Sequence, residues 1–580
     1  MSNALKQYKL WLESSAVDMD TKNELLTIEH DEDEINERFY QDLSFGTAGL
    51  RGIIGAGTNR MNIYTVRRAT QGLAMVIRES GKEAMERGVA IAYDSRLYSD
   101  SFAMEAAKVL AANGIKSYLF ESLRPTPELS FTIRYLNCIS GIIITASHNP
   151  AKYNGYKVYW EDGAQMPPQH ADKVLKYIEA TDIFTGVKVM DSVEANNSGL
   201  INIIGKEVDE AYLKNVQAQS INPDLVKQAG DKLKIVYTPF HGAGNKLVRK
   251  ILSTLGVSNV YVVREQEDPD PAFSTVKSPN PEDPDGFVYA IKLAKETGAP
   301  LIIGTDPDGD RMGLMVRNND GEYVTLSGNQ VGVLLINYIL SQKQEKGLLP
   351  KDPIVVKTIV TTEMAAKVCE KYGVSITNVL TGFKYIGEII KNLEEKNEEN
   401  RFIFGYEESY GYLCGTYARD KDAVVASMLT AEMAAWYALR GMTLYDGMQE
   451  LFKEFGYYRE IQKAIALEGI AGIQKIQEIV DYLRNNAPES FGDAKVVAVR
   501  DYKKSIRTDK LTGKTEPLTL PVSDVLYFEL SDDTYFVVRP SGTEPKIKFY
   551  LFAKGKTQKE ADKAIDTLSE NVFALLNTLL

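Results

Sequence analysis

Three times along the chain a short apolar run gives way to a loop, a stretch with apolar residues at helical spacing, a glycine and a second apolar run. The first copy starts at Val89-Ala90-Ile91-Ala92-Tyr93, places Phe102, Ala106, Val109 and Leu110 on one face, and closes through Gly114 into residues 115–120. The second runs from Leu233-Lys234-Ile235-Val236-Tyr237 through Leu247, Val248, Ile251, Leu252 and Leu255 to Gly256 and residues 257–263. The third begins at Ile354-Val355-Val356, passes Met364, Ala365, Val368 and Tyr372, and ends at Gly373 and residues 374–380. Helical i, i+4 spacing between β-rich runs predicts βαβ units, whose right-handed crossovers give parallel strands covered by helices. The last segment differs: residues 524–530, 535–538 and 547–552 read as strands and 559–580 as an amphipathic helix. The fold class expected is α/β, with three related α/β domains and a C-terminal α+β domain.

A length of 580 residues agrees with about four domains. Junctions are expected in the polar run 192–199, in the turn Asn318-Asn319-Asp320-Gly321, and near Leu451. These give domains 1–200, 201–322, 323–452 and 453–580. The acidic run 394–400 reads as a solvated helix end or loop.

A net charge of −12 argues against nucleic acid, whose binding rests on basic surface, yet leaves room for an anionic small substrate in a locally cationic cleft. Residues 1–10 lack the apolar core of a signal peptide. No window reaches the ~20 apolar residues of a membrane span; 423–439 comes nearest and is interrupted by Glu432. Cys138, Cys369 and Cys414 lie far apart without metal or redox spacing, which fits a soluble protein of the reducing cytoplasm.

Chemistry concentrates where apolar strands end. Gly141-Ile142-Ile143-Ile144 leads into Thr145-Ala146-Ser147-His148-Asn149-Pro150, which sets the Ser147 hydroxyl in a tight polar loop as a candidate nucleophile. Leu301-Ile302-Ile303-Gly304-Thr305 empties into Asp306-Pro307-Asp308-Gly309-Asp310-Arg311, whose alternate aspartates can aim at one point and whose hard oxygens suit Mg²⁺. A calcium EF-hand is excluded, since Arg311 stands where that loop needs glycine and Arg317 where it needs glutamate. Phe402-Ile403-Phe404 precedes Gly405-Tyr406-Glu407-Glu408-Ser409-Tyr410-Gly411, where Glu407 and Ser409 can grip sugar hydroxyls, or a plain turn can stand. Arg539-Pro540-Ser541-Gly542-Thr543-Glu544-Pro545 offers a guanidinium fork, hydroxyls and free N–H groups to a phosphate, with a proline-flanked turn as the alternative. Phe45-Gly46-Thr47-Ala48-Gly49-Leu50-Arg51-Gly52 delivers Arg51, and Asn154-Gly155-Tyr156-Lys157 a lysine that a hairpin folds back toward Ser147.

In this order the motifs resemble the α-D-phosphohexomutases, the family of phosphoglucomutase and phosphomannomutase, over nearly the whole chain. Asn154-Gly155-Tyr156-Lys157-Val158-Tyr159-Trp160 looks most like its phosphoglucomutase and phosphopentomutase branch. The resemblance implies four domains around a central cleft, the α/β ones with mixed sheets. It makes Ser147 the serine that carries a phosphoryl group and a metal ligand beside Asp306, Asp308 and Asp310. Arg51, Lys157 and Arg311 would surround the transferring group, and His148 would support the serine loop. Glu407 and Ser409 would hold sugar hydroxyls, with Arg539, Ser541, Gly542 and Thr543 on the phosphate that is not reacting. Thr381, Gly382 and Lys384, in Thr381-Gly382-Phe383-Lys384, would help select the sugar or form an ordinary loop. Lys421, in Arg419-Asp420-Lys421-Asp422, resembles the lysine found there in phosphoglucomutases and is the preferred general base.

The activity implied is interconversion of glucose 1-phosphate and glucose 6-phosphate, with Mg²⁺ as cofactor and glucose 1,6-bisphosphate as intermediate and activator. Phosphopentomutase, phosphomannomutase and glucose 1,6-bisphosphate synthase stand as alternatives on the same scaffold, and a non-catalytic sugar-bisphosphate binder beyond them. A haloacid-dehalogenase-type phosphotransferase leaves the Ser147 motif unexplained. The partner expected is a phosphorylated sugar, without nucleic acid or membrane, for a monomer or small homo-oligomer.

Overall fold

Each of the three repeats builds its own sheet in the computed structural model, which describes residues 2–46, 49–467, 469–541 and 546–580. The first sheet orders its strands Gly49–Ile53, Tyr153–Trp160, Ser140–Ile144, Val89–Tyr93, Ser117–Phe120 and Ile201–Ile204. The second orders Tyr323–Leu326, Met312–Arg317, Leu301–Thr305, Lys234–Thr238 and Asn259–Val262, and the third Ser375–Val379, Ile354–Thr358, Phe402–Glu407 and Gly411–Cys414. Strands joined by helical crossovers pair in parallel, as the periodicity predicts. One design recurs: a buried parallel strand ends, a polar loop follows, and the chain returns antiparallel beside it. This happens at Ser140–Ile144 with Tyr153–Trp160, at Leu301–Thr305 with Met312–Arg317, and at Phe402–Glu407 with Gly411–Cys414. Strand ends of this kind are where open α/β sheets place ligands.

The expected junctions at 200 and 322 stand just ahead of the last strands of the first two sheets, and the one near Leu451 stands within a helix. The polar run 192–199 folds as the helix Ser192–Asn197 and precedes Ile201–Ile204, which pairs with Ser117–Phe120. The turn at 318–321 closes a hairpin inside the second sheet, so that domain runs on to Leu326. The helix Leu444–Phe455 completes the third domain, and the chain breaks at Gly456, whose φ of 97° ends the helix before the strand Tyr457–Ala466. In the first two a half-exposed strand follows the polar run, so polarity there marks a turn.

The helix Ala423–Leu439 is hydrophobic all round because it is buried between domains, packed on Pro223–Ala229 and Gly244–Leu255. Its one acid, Glu432, accepts from Ile221 N (2.9 Å), Asn222 N (3.0 Å), Tyr338 OH (2.9 Å) and the Ser220 hydroxyl. No helix among the described residues is long and apolar enough to cross a membrane. All three cysteines are buried and free. The acidic run is a solvated helix end, mostly exposed beyond the helix Phe383–Glu394, and its first residue, Glu394, pairs at 2.5 Å with Arg134 and at 2.5 Å with Arg419.

The last domain wraps an antiparallel sheet, ordered from Tyr457–Ala466 through Lys546–Gly555, Tyr535–Pro540, Leu526–Leu530 and Ala494–Asp501 to two short strands, around the helix Gln558–Leu579. It has its own core, with Phe528, Phe536, Phe549 and Leu568. A second apolar cluster ties Ile359, Val360 and Leu380 of the third domain to Tyr527, Val537 and Tyr550 of the last.

Candidate active site

The Ser147 loop is held under tension. Ser147 adopts φ 54°, a left-handed conformation that disfavours a residue with a Cβ. Its N–H donates to Thr145 Oγ1 (2.8 Å), and Thr145 Oγ1 donates to the buried Asp94 (2.6 Å). The Ser147 hydroxyl emerges 3.2 Å from Asp306 Oδ2 and 3.2 Å from His148 Nδ1. Burial, with Arg311 and Arg51 nearby, drives the His148 pKa well below its ordinary value, so the ring is neutral at pH 7. A neutral imidazole positions the serine without adding charge.

Asp306, Asp308 and Asp310 are fully or almost fully buried, and one oxygen of each lies within 4.8 Å of the others. The turn makes this possible: Gly309 has φ 63°, and Asp306 Oδ1 accepts from the N–H groups of Asp310 (3.1 Å) and Arg311 (3.0 Å). Asp308 Oδ2 takes Lys157 Nζ (2.9 Å) and Thr126 Oγ1 (3.0 Å); Asp310 Oδ2 takes Lys421 Nζ (3.0 Å). Asp308 Oδ1 and Asp310 Oδ1 remain without a donor among the described residues. Two buried carboxylate oxygens lacking donors beside a serine hydroxyl form an all-oxygen set that fits a hard divalent cation. The electrostatics agree. Burial together with Asp308 and Asp310 pushes Asp306 well up, whereas Asp308 overcomes burial through Lys157 and Lys421 and stays low.

The loop of Glu407 and Ser409 meets this centre through the backbone. Met312 N donates to Tyr410 O (3.1 Å), Arg311 bridges to Gly411, and Ala423 N donates to Gly309 O (3.2 Å). Glu407 accepts from Gly382 N (2.9 Å), which ties its loop to the segment holding Thr381 and Lys384. Ser409 Oγ donates to Glu408 (3.2 Å), and burial with Glu407 pushes Glu408 up to about 7. Burial lowers Lys384, which lies over the Tyr385 ring. Arg311 pairs with Glu282 (3.1 Å). Lys421 also meets Asp420 (3.2 Å); burial would lower its pKa, but Asp310 and Asp420 raise it instead. Lys421 thus rests as an ammonium, holding a proton rather than ready to accept one.

Arg51 and Lys157 come from the neighbouring strands Gly49–Ile53 and Tyr153–Trp160, in register with Gly155 and Gly49 respectively. From the last domain, Arg539 Nη1 is buried without a partner among the described residues, as an anion site requires. Ser541 N closes its turn on Lys546 O (2.7 Å). Gly542 and Thr543 lie outside the described residues, as do Thr47 and Ala48 of the first glycine loop.

Models of phosphoglucomutase/phosphomannomutase alpha/beta/alpha domains I, II and III match residues 42–183, 210–321 and 327–455. The chain belongs to the phosphoglucomutase/phosphomannomutase family. Among relatives, a phosphoglucomutase of Staphylococcus epidermidis is 39% identical over 522 residues, covering 90% of this chain and 92% of that one. A phosphoglucomutase of Staphylococcus aureus is 36% identical over 523 residues, covering 90% and 91%. Two solved structures share the fold: a phosphoglucomutase/phosphomannomutase family protein from Burkholderia thailandensis (TM-score 0.63, 19% identity, 92% and 97% covered), and the open form of Paramecium parafusin (TM-score 0.66, 18% identity, 92% and 95% covered).

Several side chains of this phosphohexomutase cleft stand outside the sequence motifs. Asp94 and Arg96 follow the strand Val89–Tyr93 just as the motif loops follow theirs, a signal of position without a diagnostic residue pattern. Thr126 opens the helix Thr126–Tyr135 and turns both its N–H and its hydroxyl on Asp308. Lys548 is a polar position in the apolar alternation of Lys546–Gly555, opposite Arg539 in register. Burial lowers its pKa, countered by Glu408, so this lysine of the last domain faces the loop of Glu407 and Glu408.

Gly328 shows how tightly that loop is set, because a Cβ there would overlap the Glu408 carbonyl oxygen. Gly328→Ala is expected to cost about 1–3 kcal/mol of stability. It should also raise KM for the sugar phosphate by about tenfold, as thermal melting and steady-state kinetics would show; an unchanged KM would mean the loop does not bind sugar.

Proposed function

We propose that the chain is a phosphoglucomutase, an isomerase that moves a phosphoryl group between O1 and O6 of glucose through phospho-Ser147. The observation that carries this reading is the Ser147 hydroxyl 3.2 Å from Asp306 in a buried carboxylate triad, ringed by cations from other segments. A serine ester beside three acids is stable only if positive charge offsets it, and Lys157, Arg311 and Lys421 supply that charge.

In the forward direction, phospho-Ser147 gives its phosphoryl group to the free O6 hydroxyl of glucose 1-phosphate. The Ser147 Oγ–P bond breaks, the O6–P bond forms, and the O6 hydroxyl proton passes to the departing Ser147 Oγ. The resulting glucose 1,6-bisphosphate turns around, and Ser147 Oγ takes the phosphoryl group from O1, releasing glucose 6-phosphate. Glu407 and Ser409 hold the sugar in either orientation, while Arg539 and Lys548 keep the idle phosphate fixed. Arg51, Lys157 and Arg311 line the path of the moving group, and transfer becomes mostly positioning and charge stabilisation. Mg²⁺, held by Ser147, Asp306, Asp308 and Asp310, would supply Lewis-acid charge neutralisation at the phosphoryl oxygens. Lys421, an ammonium at rest, gives a proton to the departing O1 and is restored by the Ser147 hydroxyl proton as Oγ takes the phosphoryl group; in the reverse direction the same proton path runs backwards.

A substrate panel with Mg²⁺ and catalytic glucose 1,6-bisphosphate tests the choice of sugar. Glucose 1-phosphate is expected to give the highest kcat/KM, at least about tenfold above mannose 1-phosphate and ribose 1-phosphate. A higher value for the pentose phosphate would make the chain a phosphopentomutase instead.

A further inference from the structure

We propose that Arg96 and Phe273 form a brace between the first two domains that positions the Ser147 loop for phosphoryl transfer; this rests on the phosphoserine reading above. Neither residue touches the reacting atoms. Arg96 grips the loop from behind: Nη2 donates to Ser147 O (2.6 Å) and to Asn149 O, and Nη1 donates to Pro150 O and Tyr153 O, both at 3.0 Å. One planar fork thus holds four carbonyls along the turn, a task a lysine cannot reproduce. Asp94 fixes the fork in turn, accepting from Arg96 N (2.9 Å) and Ser99 Oγ (2.8 Å) and lying 3.3 Å from Arg96 Nε. Because Asp94 also holds Thr145, the same buried pair pins both the N–H and the carbonyl of the strained Ser147. A non-glycine residue stays left-handed only where its surroundings over-determine it.

The open face of the guanidinium is covered by the second domain. The Phe273 ring, 1% exposed, lies 5.1 Å from Arg96 Cζ, within cation–π range. Phe273 is itself left-handed, with φ 48°, and its loop is built to hold it there. Asp270 accepts from Ser274 N (2.7 Å) and Ser274 Oγ (2.6 Å), while the His241 ring spans Asp268 O and Thr275 Oγ1, both at 2.8 Å. The same loop reaches back once more, Ser278 Oγ donating to His148 O (3.0 Å). The domain that carries the acid triad therefore holds the serine loop at two points, and the spacing of Ser147 from Asp306 becomes a property of one rigid unit. Reaction rates fall steeply when such a spacing loosens by a fraction of an ångström.

The test uses Phe273→Leu, which keeps an apolar side chain of similar bulk but removes the π face, and Arg96→Lys, which keeps the charge but removes the fork. Three readouts are taken: kcat and KM for glucose 1-phosphate, the rate of Ser147 phosphorylation by glucose 1,6-bisphosphate followed by intact mass, and the melting temperature. Phe273→Leu is expected to lower kcat and the phosphorylation rate about tenfold, with KM within about twofold and melting within a few degrees. Arg96→Lys is expected to lower both rates about 100-fold, again with little change in KM. Wild-type kcat in both variants, or losses fully accounted for by an unfolded fraction, would overturn the brace. A wild-type protein that takes phosphate on Ser147 yet does not isomerise glucose 1-phosphate would sink the phosphoglucomutase reading instead, and the phosphorylation rates of the variants would still decide the brace.

Discussion

Ser147→Ala is expected to lower glucose phosphate isomerisation by at least about 10⁴-fold while glucose 6-phosphate still binds with a Kd within about threefold of wild type. The size follows from the cleft's inventory. Ser147 is the hydroxyl that meets Asp306 at a loop tip, whereas Thr126, the other hydroxyl on the triad, is fully buried with its N–H and Oγ1 both committed to Asp308. Thr126 is thus no substitute. Binding survives because the sugar loop and the Arg539 side of the cleft lie on other domains. Steady-state kinetics and calorimetry together check this; a variant retaining more than about 1% of wild-type kcat would show that phosphate travels by another route.

Lys421→Met is expected to slow transfer about 10²–10⁴-fold. Burial and two carboxylates act on Lys421 in opposite senses, and Asp310 and Asp420 prevail. The sign is that of a raised pKa: the ion pair contributes fully below the ordinary lysine range and is lost only as pH climbs through the raised value, so neutral pH leaves the ammonium intact. Lys421→Arg separates charge from proton transfer. It keeps the cation beside Asp310 but holds its proton too firmly to exchange it, and so should rescue little of the loss. In both variants Ser147 should still become phosphorylated by glucose 1,6-bisphosphate, only more slowly. Near-complete rescue by arginine would reduce Lys421 to a charge partner. The packing leaves little room for adjustment, since a Cβ at Gly411 would overlap the Lys421 side chain.

Much of this arrangement is legible in the sequence because its main loops share one grammar. Each follows an apolar strand and is brief, so the residues in it have few places to point; Ser147, Asp306 and Glu407 are found this way. Arg96 obeys the same grammar but carries no phosphate-like pattern, and its role appears only when the carbonyls of residues 147–153 curl around it. Phe273 is less legible still. Its function depends on a left-handed backbone and on a partner 177 positions away, and an aromatic residue in a polar loop reads as packing. Lys421 is readable as a residue but not as an ammonium, because its protonation is set by Asp310, brought from a different sheet. The strand Tyr457–Ala466 escapes detection for another reason. Its side chains are half-buried or exposed along its whole length, without the alternation that betrays a strand with one face in a core. Polar turns are poor markers of where a sheet ends, because half-exposed edge strands such as Tyr323–Leu326 follow turns polar enough to pass for linkers.

The phosphoserine relay itself is tested most directly by locating the phosphoryl group after incubation with glucose 1,6-bisphosphate, through acid quench and peptide mass spectrometry. One acid-stable phosphate on the peptide bearing Ser147, discharged by adding glucose 1-phosphate, is the expected result. An acid-labile phosphate on Asp306, or none on Ser147 in protein that turns over, would contradict it.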